Sequence, residues 1–141
     1  MTPQQIALVQ TSFAKVAPIA DAAADLFYDR LFEIAPSVRC LFRDDLTGQK
    51  KQLMSMLGMA VAGLSNLDTL MPVVCALGER HAGYGVKVEH FTSVGEALLW
   101  TLKQGLGEAF TPAVQDAWET AYSDLSQAMV DALMSKVSRA A

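Results

Sequence analysis

The sequence predicts an all-α protein of six to eight helices, and two observations support this class. Apolar residues recur three or four positions apart, whereas no stretch shows the strict apolar–polar alternation of a strand. Two helix starts are also visible, because Thr2 and Pro3, like Thr111 and Pro112, pair a capping residue with a proline at the first helical position. We expect one domain, 1–141, with a core that needs no disulfide.

The N-terminal half is expected to contain three helices. The first begins after Thr2, where Gln5 can complete a capping box. The second is stopped by Pro36, because the residue before a proline disfavours the helical conformation. The predicted segments are a helix ending before Pro18, a helix over 19–34, a turn over 36–42, a polar loop over 43–48 and a helix over 49–64.

The C-terminal half is expected to contain three further helices. Asn66 is the predicted cap of the fourth, and Pro72 is expected to split it or make its start irregular. Glycines then mark the next turn and the next helix end. The predicted segments are a helix from 67 to 81 or 83, a turn at Gly83 and Gly85, a helix over 89–106 ended by Gly105 and Gly107, and a helix over 112–137.

Composition narrows the class of function. Hydrophobic residues make up 52% of the chain, charged residues 18%, and the net charge is -4. Without a cluster of Lys and Arg, nucleic-acid binding is not expected, and no apolar run approaches the ~18 residues of a membrane span. No signal peptide is visible, so we expect a cytoplasmic protein. The apolar surplus fits a bound apolar cofactor, a subunit interface or simply an alanine-rich helical protein.

The candidates for metal ligation are few. Cys40 and Cys75 lack metal-type spacing and are expected to be buried thiols. His81 lies late in an apolar helix, so its ring can point into a pocket while its other nitrogen donates to the carbonyl of Leu77. A neutral imidazole in this position suits haem iron. His90 lies in a polar helix start and is expected to be solvated. Viewed alone, His81 is better explained as a helix-end histidine than as a ligand.

A small pocket with hydrogen-bond donors is predicted from three residues upstream of His81. Tyr28 lies in an apolar helical stretch, and a buried tyrosine hydroxyl needs a partner. Gln49 opens a helix whose next inward residue is Leu53. Together they would suit a diatomic ligand whose bound form carries negative charge. The plainer alternatives are a core tyrosine bonded to a carbonyl and a solvated glutamine in a first helical turn.

Taken in order, these segments resemble the bacterial single-domain globins and the haem domain of flavohaemoglobins. Segment 26–32 (LFYDRLF) is similar to the second helix of that family, with the distal tyrosine at Tyr28. Segment 36–42 (PSVRCLF) resembles the stretch that ends in the haem-contacting phenylalanine, here Phe42. Segment 49–53 (QKKQL) looks like the distal Gln and Leu pair.

The resemblance continues to the C-terminal end of the chain. His81 falls where the family has its proximal iron ligand, and segments 94–99 (VGEALL) and 117–122 (AWETAY) match two further family stretches. The resemblance implies a globin fold around haem b, with His81 on the iron and Tyr28 and Gln49 as distal donors beside Leu53. It also implies a cofactor pocket lined by Phe42, Leu53, Leu77, Val86, Phe91 and Val94.

Two departures from flavohaemoglobins bear on chemistry. Those proteins surround the proximal histidine with a Tyr and a Glu, whose counterparts here are Phe91 and Leu133. Because neither can accept a hydrogen bond from His81, we expect weaker electron donation to the iron and hence reversible binding rather than peroxidase chemistry. The chain also ends at Ala141 without a reductase domain, so electrons are expected to come from an external reductase.

Three functions are consistent with the sequence. The first is reversible binding of O₂, or of NO or CO, at ferrous iron, for oxygen transport, storage or scavenging. The alternative is nitric oxide dioxygenation, which converts O₂ and NO to nitrate and needs a separate reductase. The third is an all-α domain without cofactor whose apolar surplus forms an interface.

Overall fold

A computed structural model describes residues 1–42, 44–83 and 86–140, and within these residues the chain is helical with no strand. This confirms the predicted all-α class. Short 3₁₀ turns at Ala17–Ile19, Pro36–Leu41 and Gly107–Ala109 join some of the helices. The α-helices are α1 (Pro3–Val16), α2 (Ala20–Ile34), α3 (Thr47–Gly63), α4 (Leu67–Gly83), α5 (Val88–Leu106) and α6 (Pro112–Ala140).

The predicted helix starts are present. The Gln5 amide N–H donates to the Thr2 hydroxyl over 3.1 Å, and the Thr2 N–H donates to the Gln5 side chain over 3.0 Å. These two bonds form the expected capping box. At the start of α6, the Val114 N–H donates to the Thr111 hydroxyl over 3.3 Å. Both caps therefore act as the sequence predicts.

Some helix boundaries differ from the prediction. Helix α3 begins two residues early, at Thr47, and just before it the Asp45 carboxylate accepts from the Thr47 N–H over 3.0 Å and from its hydroxyl over 2.7 Å, which forms a side-chain turn. Helix α4 runs unbroken through Pro72, so the expected split was wrong. Helix α5 ends at Leu106, as predicted, and the next residue, Gly107, has a φ of 55°. The turn predicted at Gly85 lies outside the described residues.

Helix α4 packs closely on α6. A Cβ at Gly78 would overlap the backbone carbonyl oxygen of Met129, so the two helices approach to backbone contact. The helix continues through Pro72, although a proline inside a helix removes one backbone hydrogen bond. Helix α5 lies between α2 and α6. Buried apolar side chains between the helices include Val9, Phe27, Leu31, Val74, Leu102 and Trp118.

A buried hydrogen bond links the first helix to the last. The Trp118 indole N–H donates to the Ser12 hydroxyl over 2.8 Å, across 106 residues of sequence. The Ser12 hydroxyl donates in turn to the Leu8 carbonyl, 2.7 Å away. Every polar atom in this chain of bonds is therefore paired, as burial requires, and α1 is fixed against α6.

Two further expectations concern the surface. Cys40 and Cys75 are both free and exposed, so the prediction of buried thiols was wrong. Cys40 lies in the 3₁₀ turn after α2, where its thiol donates to the Ser37 carbonyl over 3.0 Å. Within the described part of the chain, every helix is too short or too polar to cross a membrane.

Candidate cofactor and ligand site

Tyr28 is held on α2 in an aromatic cluster. Its side chain is 3% exposed. Its ring meets Phe27 nearly edge-on at 5.0 Å, Phe42 nearly edge-on at 5.6 Å and Phe32 at 5.9 Å, measured between ring centroids. Such aromatic contacts hold the ring in one orientation. The phenol oxygen therefore has a fixed position.

Burial and hydrogen bonding act on the Tyr28 hydroxyl in opposite directions. Burial raises its pKa above the ordinary 10.0, because the phenolate loses its hydration. A hydrogen bond from the side chain of Gln49 partly lowers the pKa again. Gln49 lies in the first turn of α3 and is exposed. The structure thus brings together the two residues that were predicted as distal donors.

Phe42 follows the 3₁₀ turn that leaves α2. Its ring also packs on Phe32, with centroids 5.8 Å apart. The Arg39 guanidinium lies over the Phe32 ring at 5.2 Å and donates to the backbone carbonyls of Phe42, at 3.4 Å, and Asp44, at 3.2 Å. Arg39 therefore fixes the corner that holds Phe42. This role was not predicted from the sequence, although a cation three residues before an aromatic residue in a turn is a signal that could have indicated it.

Leu53 lies one turn after Gln49 on α3 and is half-buried. It borders a small, wholly apolar space within the helix bundle, together with Phe27, Leu57 and Leu98. The face of α3 that follows Gln49 is therefore apolar, as the sequence predicts.

His81 lies near the C-terminal end of α4. Its Nδ1 is 2.6 Å from the Leu77 carbonyl oxygen, which confirms the predicted hydrogen bond. A carbonyl can only accept, so Nδ1 carries the proton, and in a neutral ring Nε2 then carries the lone pair. The His81 carbonyl accepts from the Val86 N–H over 3.3 Å. Nε2 is therefore the ring atom suited to bind a metal.

Phe91 packs beside His81, with ring centroids 6.2 Å apart and planes inclined at 41°. Its backbone carbonyl accepts from the Tyr122 hydroxyl over 2.5 Å. The Tyr122 ring lies so close to α5 that a Cβ at Gly95 would come within 2.7 Å of it. Tyr122 therefore anchors the start of α5, a role that local sequence patterns do not indicate because it depends on a long-range contact. Leu133 is buried, at 3% exposure.

The contacts place the candidate residues in two groups. Tyr28, Phe42 and Gln49 meet where α2 faces α3, and Leu77, His81, Val86 and Phe91 meet around the end of α4. His90 belongs to neither group. It is half-buried, and its Nδ1 accepts from the Lys87 N–H over 3.0 Å, so it caps α5 rather than being simply solvated. The six predicted cofactor-pocket residues are all half-buried: Phe42, Leu53, Leu77, Val86, Phe91 and Val94.

Comparison with known proteins identifies the family. A family model for globins matches residues 25–129, which is most of the chain and includes both groups. The chain belongs to the globin family. Among solved structures, this globin is similar to a bacterial globin from Campylobacter jejuni, with a TM-score of 0.82, 26% identity, and coverage of 95% of this chain and 97% of that one. The fold is therefore the globin fold.

A second solved structure and the curated relatives extend the comparison. An engineered carbene transferase, made from a Rhodothermus marinus protein provisionally assigned as a nitric oxide dioxygenase, matches with a TM-score of 0.80 and 28% identity, covering 90% of this globin and 89% of that chain. A flavohaemoprotein from Bacillus subtilis is 36% identical over 107 residues, 74% of this globin and 27% of the relative. One from Bordetella parapertussis is 31% identical over 133 residues, 92% of this globin and 33% of the relative. The globin thus spans about a third of the length of these flavohaemoproteins.

Proposed function

We propose that this globin forms a single domain, 1–141, which holds haem b on His81 and binds small diatomic ligands, O₂ above all and also NO and CO. When bound, haem supplies a ferrous iron that coordinates such a ligand reversibly. The observation that carries the proposal is the 2.6 Å hydrogen bond from His81 Nδ1 to the Leu77 carbonyl, because it presents Nε2 with its lone pair.

The apolar side chains of the site fit the macrocycle. Six of them are half-buried, so each keeps apolar surface that a flat apolar group could cover. Covering apolar surface is favourable by about 25 cal/mol per Å². We assign the contact with the macrocycle to these six residues: Phe42, Leu53, Leu77, Val86, Phe91 and Val94.

On the distal side, the chain supplies hydrogen-bond donors. Tyr28 is buried and aromatic contacts fix its ring, so its hydroxyl is preorganised to donate to a ligand that takes up negative charge. The raised pKa of Tyr28 keeps the proton on its oxygen at physiological pH. Gln49, which already reaches the Tyr28 hydroxyl, acts as the second donor.

On the proximal side, the chain supports binding rather than O–O cleavage. His81 Nδ1 donates to a neutral carbonyl, which is a weaker hydrogen-bond acceptor than a carboxylate. The imidazole ring therefore gains less negative character than it would beside a carboxylate. The neighbouring Phe91 and the buried Leu133 carry no acceptor atom in their side chains. His81 should therefore act as a neutral imidazole ligand with modest electron donation.

The test of this proposal is a spectrum of the haem-loaded protein and of two variants. We expect a Soret band and a five-coordinate ferrous spectrum typical of histidine ligation, which His81→Ala loses and His90→Ala retains, because His90 caps α5 instead. Imidazole added to His81→Gly should restore the spectrum. A protein that shows no Soret band after haem is added, or a His81→Ala variant with an unchanged spectrum, would contradict the proposal.

The alternative function is nitric oxide dioxygenation with electrons from a separate reductase. It is favoured by the similarity to the Rhodothermus marinus protein and by the presence of both distal donors. The measurement is NO consumption under air, with and without a flavin reductase and NADH. Consumption of about one NO per haem in both cases supports binding alone. Sustained turnover that depends on the reductase would establish the enzyme.

A further inference from the structure

Two neighbouring pairs of side chains connect α2 to the first turn of α3. The Gln49 side chain lies close enough to the Tyr28 hydroxyl to lower its pKa, and the next residue, Lys50, forms an ion pair with Asp25 in which Nζ lies 2.7 Å from Oδ1. Asp25 precedes Tyr28 by three residues, so both lie on the same side of α2. The ion pair therefore lies next to the distal hydrogen bond.

The first turn of α3 is held less firmly than the rest of the helix. The buried residue of α3 is Val61, near the C-terminal end, and in the second turn Leu53 and Met54 pack half-buried against the core. The first turn, by contrast, contributes no buried apolar side chain. The Lys50 side chain is 32% exposed, and that of Asp25 is 60% exposed. The ion pair is thus partly shielded on the Lys50 side.

Lys50 also acts on Asp45, which lies just before α3. The pKa of Asp45 is lowered, first by its hydrogen bonds with Thr47 and, to a smaller extent, by the charge of Lys50. The charge of Lys50 therefore acts on Asp25 of α2, at 2.7 Å, and more weakly on Asp45.

We propose that the Lys50–Asp25 ion pair is a positioning pair for the ligand site, which holds the first turn of α3 on α2 and thereby keeps Gln49 at the Tyr28 hydroxyl. The effect on ligands rests on the proposed function, whereas the placement of α3 does not require haem. Neither residue contacts the ligand. Both act through Gln49.

Loss of the pair changes ligand release in a defined direction. When the first turn of α3 is free to move, Gln49 spends less time at Tyr28, and the second donor is lost for part of the time. A partly exposed ion pair has a modest effect, so we expect O₂ to dissociate about two- to fivefold faster in Lys50→Gln. Because salt screens such pairs, the wild-type rate should rise with ionic strength toward that of the variant.

The first experiment is hydrogen–deuterium exchange on the full chain as isolated. In Lys50→Gln and Asp25→Asn we expect faster exchange of the amides near the start of α3, including the Lys50 N–H that donates to the Leu46 carbonyl over 2.8 Å. The matched control is Glu33→Gln, which removes an ion pair of 3.1 Å to Arg30 within α2 and should leave α3 unchanged. Unchanged exchange at the start of α3 in both variants would overturn the proposal.

The second experiment uses the haem-loaded protein, with O₂ dissociation measured by stopped flow and the stretching band of added CO measured by infrared spectroscopy. We expect Lys50→Gln, Asp25→Asn and the double variant to show the same increase in rate and the same new CO band, because each removes one interaction. The charge-swapped Asp25→Lys, Lys50→Asp double variant should recover the wild-type band. Additive effects of the two single changes, with no recovery in the swap, would overturn the proposal.

Failure of the proposed function and failure of the positioning pair would give different results. If haem does not bind, the proposed function fails, while faster exchange at the start of α3 in Lys50→Gln would still support the positioning of that helix. If haem binds and Tyr28→Phe alters O₂ release but none of the Lys50 or Asp25 variants does, the proposed function stands and the positioning pair is rejected.

Discussion

Tyr28 shows how one residue can be tuned by opposing effects. Burial disfavours its phenolate and raises the pKa, whereas the hydrogen bond with Gln49 favours the phenolate and lowers it, and burial is the larger effect. The hydroxyl therefore keeps its proton beyond the ordinary pKa of 10.0. A donor of this kind works across the whole physiological pH range.

Removal of this donor should weaken retention of O₂. A hydrogen bond to a partly charged acceptor contributes ~1.5–3 kcal/mol, and ~1.4 kcal/mol corresponds to tenfold in affinity. We expect Tyr28→Phe to speed O₂ dissociation at least about tenfold, measured by stopped flow. The wild-type rate should stay flat up to about pH 10, since the raised pKa of Tyr28 preserves the proton until more alkaline pH.

Dissociation of CO provides a control for the Tyr28→Phe variant. CO takes up little negative charge and accepts only a weak hydrogen bond, so its dissociation from Tyr28→Phe should change much less than that of O₂. An O₂ off-rate that does not respond to the substitution would remove Tyr28 from the distal role. Equal acceleration for both ligands would indicate a steric effect rather than a lost donor.

At the scale of elements, the crossing of α4 and α6 determines where His81 lies. Gly78 precedes His81 by three residues, and at Gly78 the α4 backbone lies directly on the carbonyl of Met129 in α6. Because rigid backbone rather than a flexible side chain would meet an added Cβ, the two helices would have to separate. Any such separation moves the turn of α4 that holds the candidate iron ligand.

A single methyl group tests this contact. We expect Gly78→Ala to lower the free energy of unfolding by about 1–3 kcal/mol, which is the usual cost of overpacking, when unfolding by urea is followed by circular dichroism. The matched control is Gly58→Ala on α3, where a Cβ would lie 3.7 Å from the Phe13 ring, an ordinary contact. Since alanine favours helix over glycine, Gly58→Ala should raise the free energy of unfolding by roughly 0.5–1 kcal/mol.

The outcome that would contradict this interpretation is equal stability of the two variants. In that case α4 and α6 would have room to adjust, and the glycine would not determine their separation. A shift in the Fe–His stretching band of haem-loaded Gly78→Ala, absent from Gly58→Ala, would additionally link the helix crossing to the iron ligand.

At the scale of the whole molecule, the parts of the fold that depend on local sequence signals were predictable. Helical spacing and the caps at Thr2 and Thr111 located the helices, and the segments around Tyr28 and His81 carried the family resemblance. The continuity of α4 through Pro72 was not predictable, because the preference of a single residue is a weak local signal that the rest of the structure can override.

The supporting contacts of the site were not predictable for a related reason. The Lys50–Asp25 pair and the bond from Tyr122 to the Phe91 carbonyl join different helices. Which surface residues meet in this way depends on how the helices cross, and the spacing within one helix does not contain that information. Sequence patterns therefore indicate candidate ligands and donors, whereas the residues that position them emerge only from tertiary structure.

The hydrogen bond from Trp118 to Ser12 has a consequence for synthesis on the ribosome. The two residues are 106 positions apart, and chain elongation proceeds at roughly 5–20 residues per second. About 5–20 seconds therefore pass between the synthesis of Ser12 in α1 and that of Trp118 in α6. During that interval, the face of α1 that α6 covers in the folded protein is not yet buried by it.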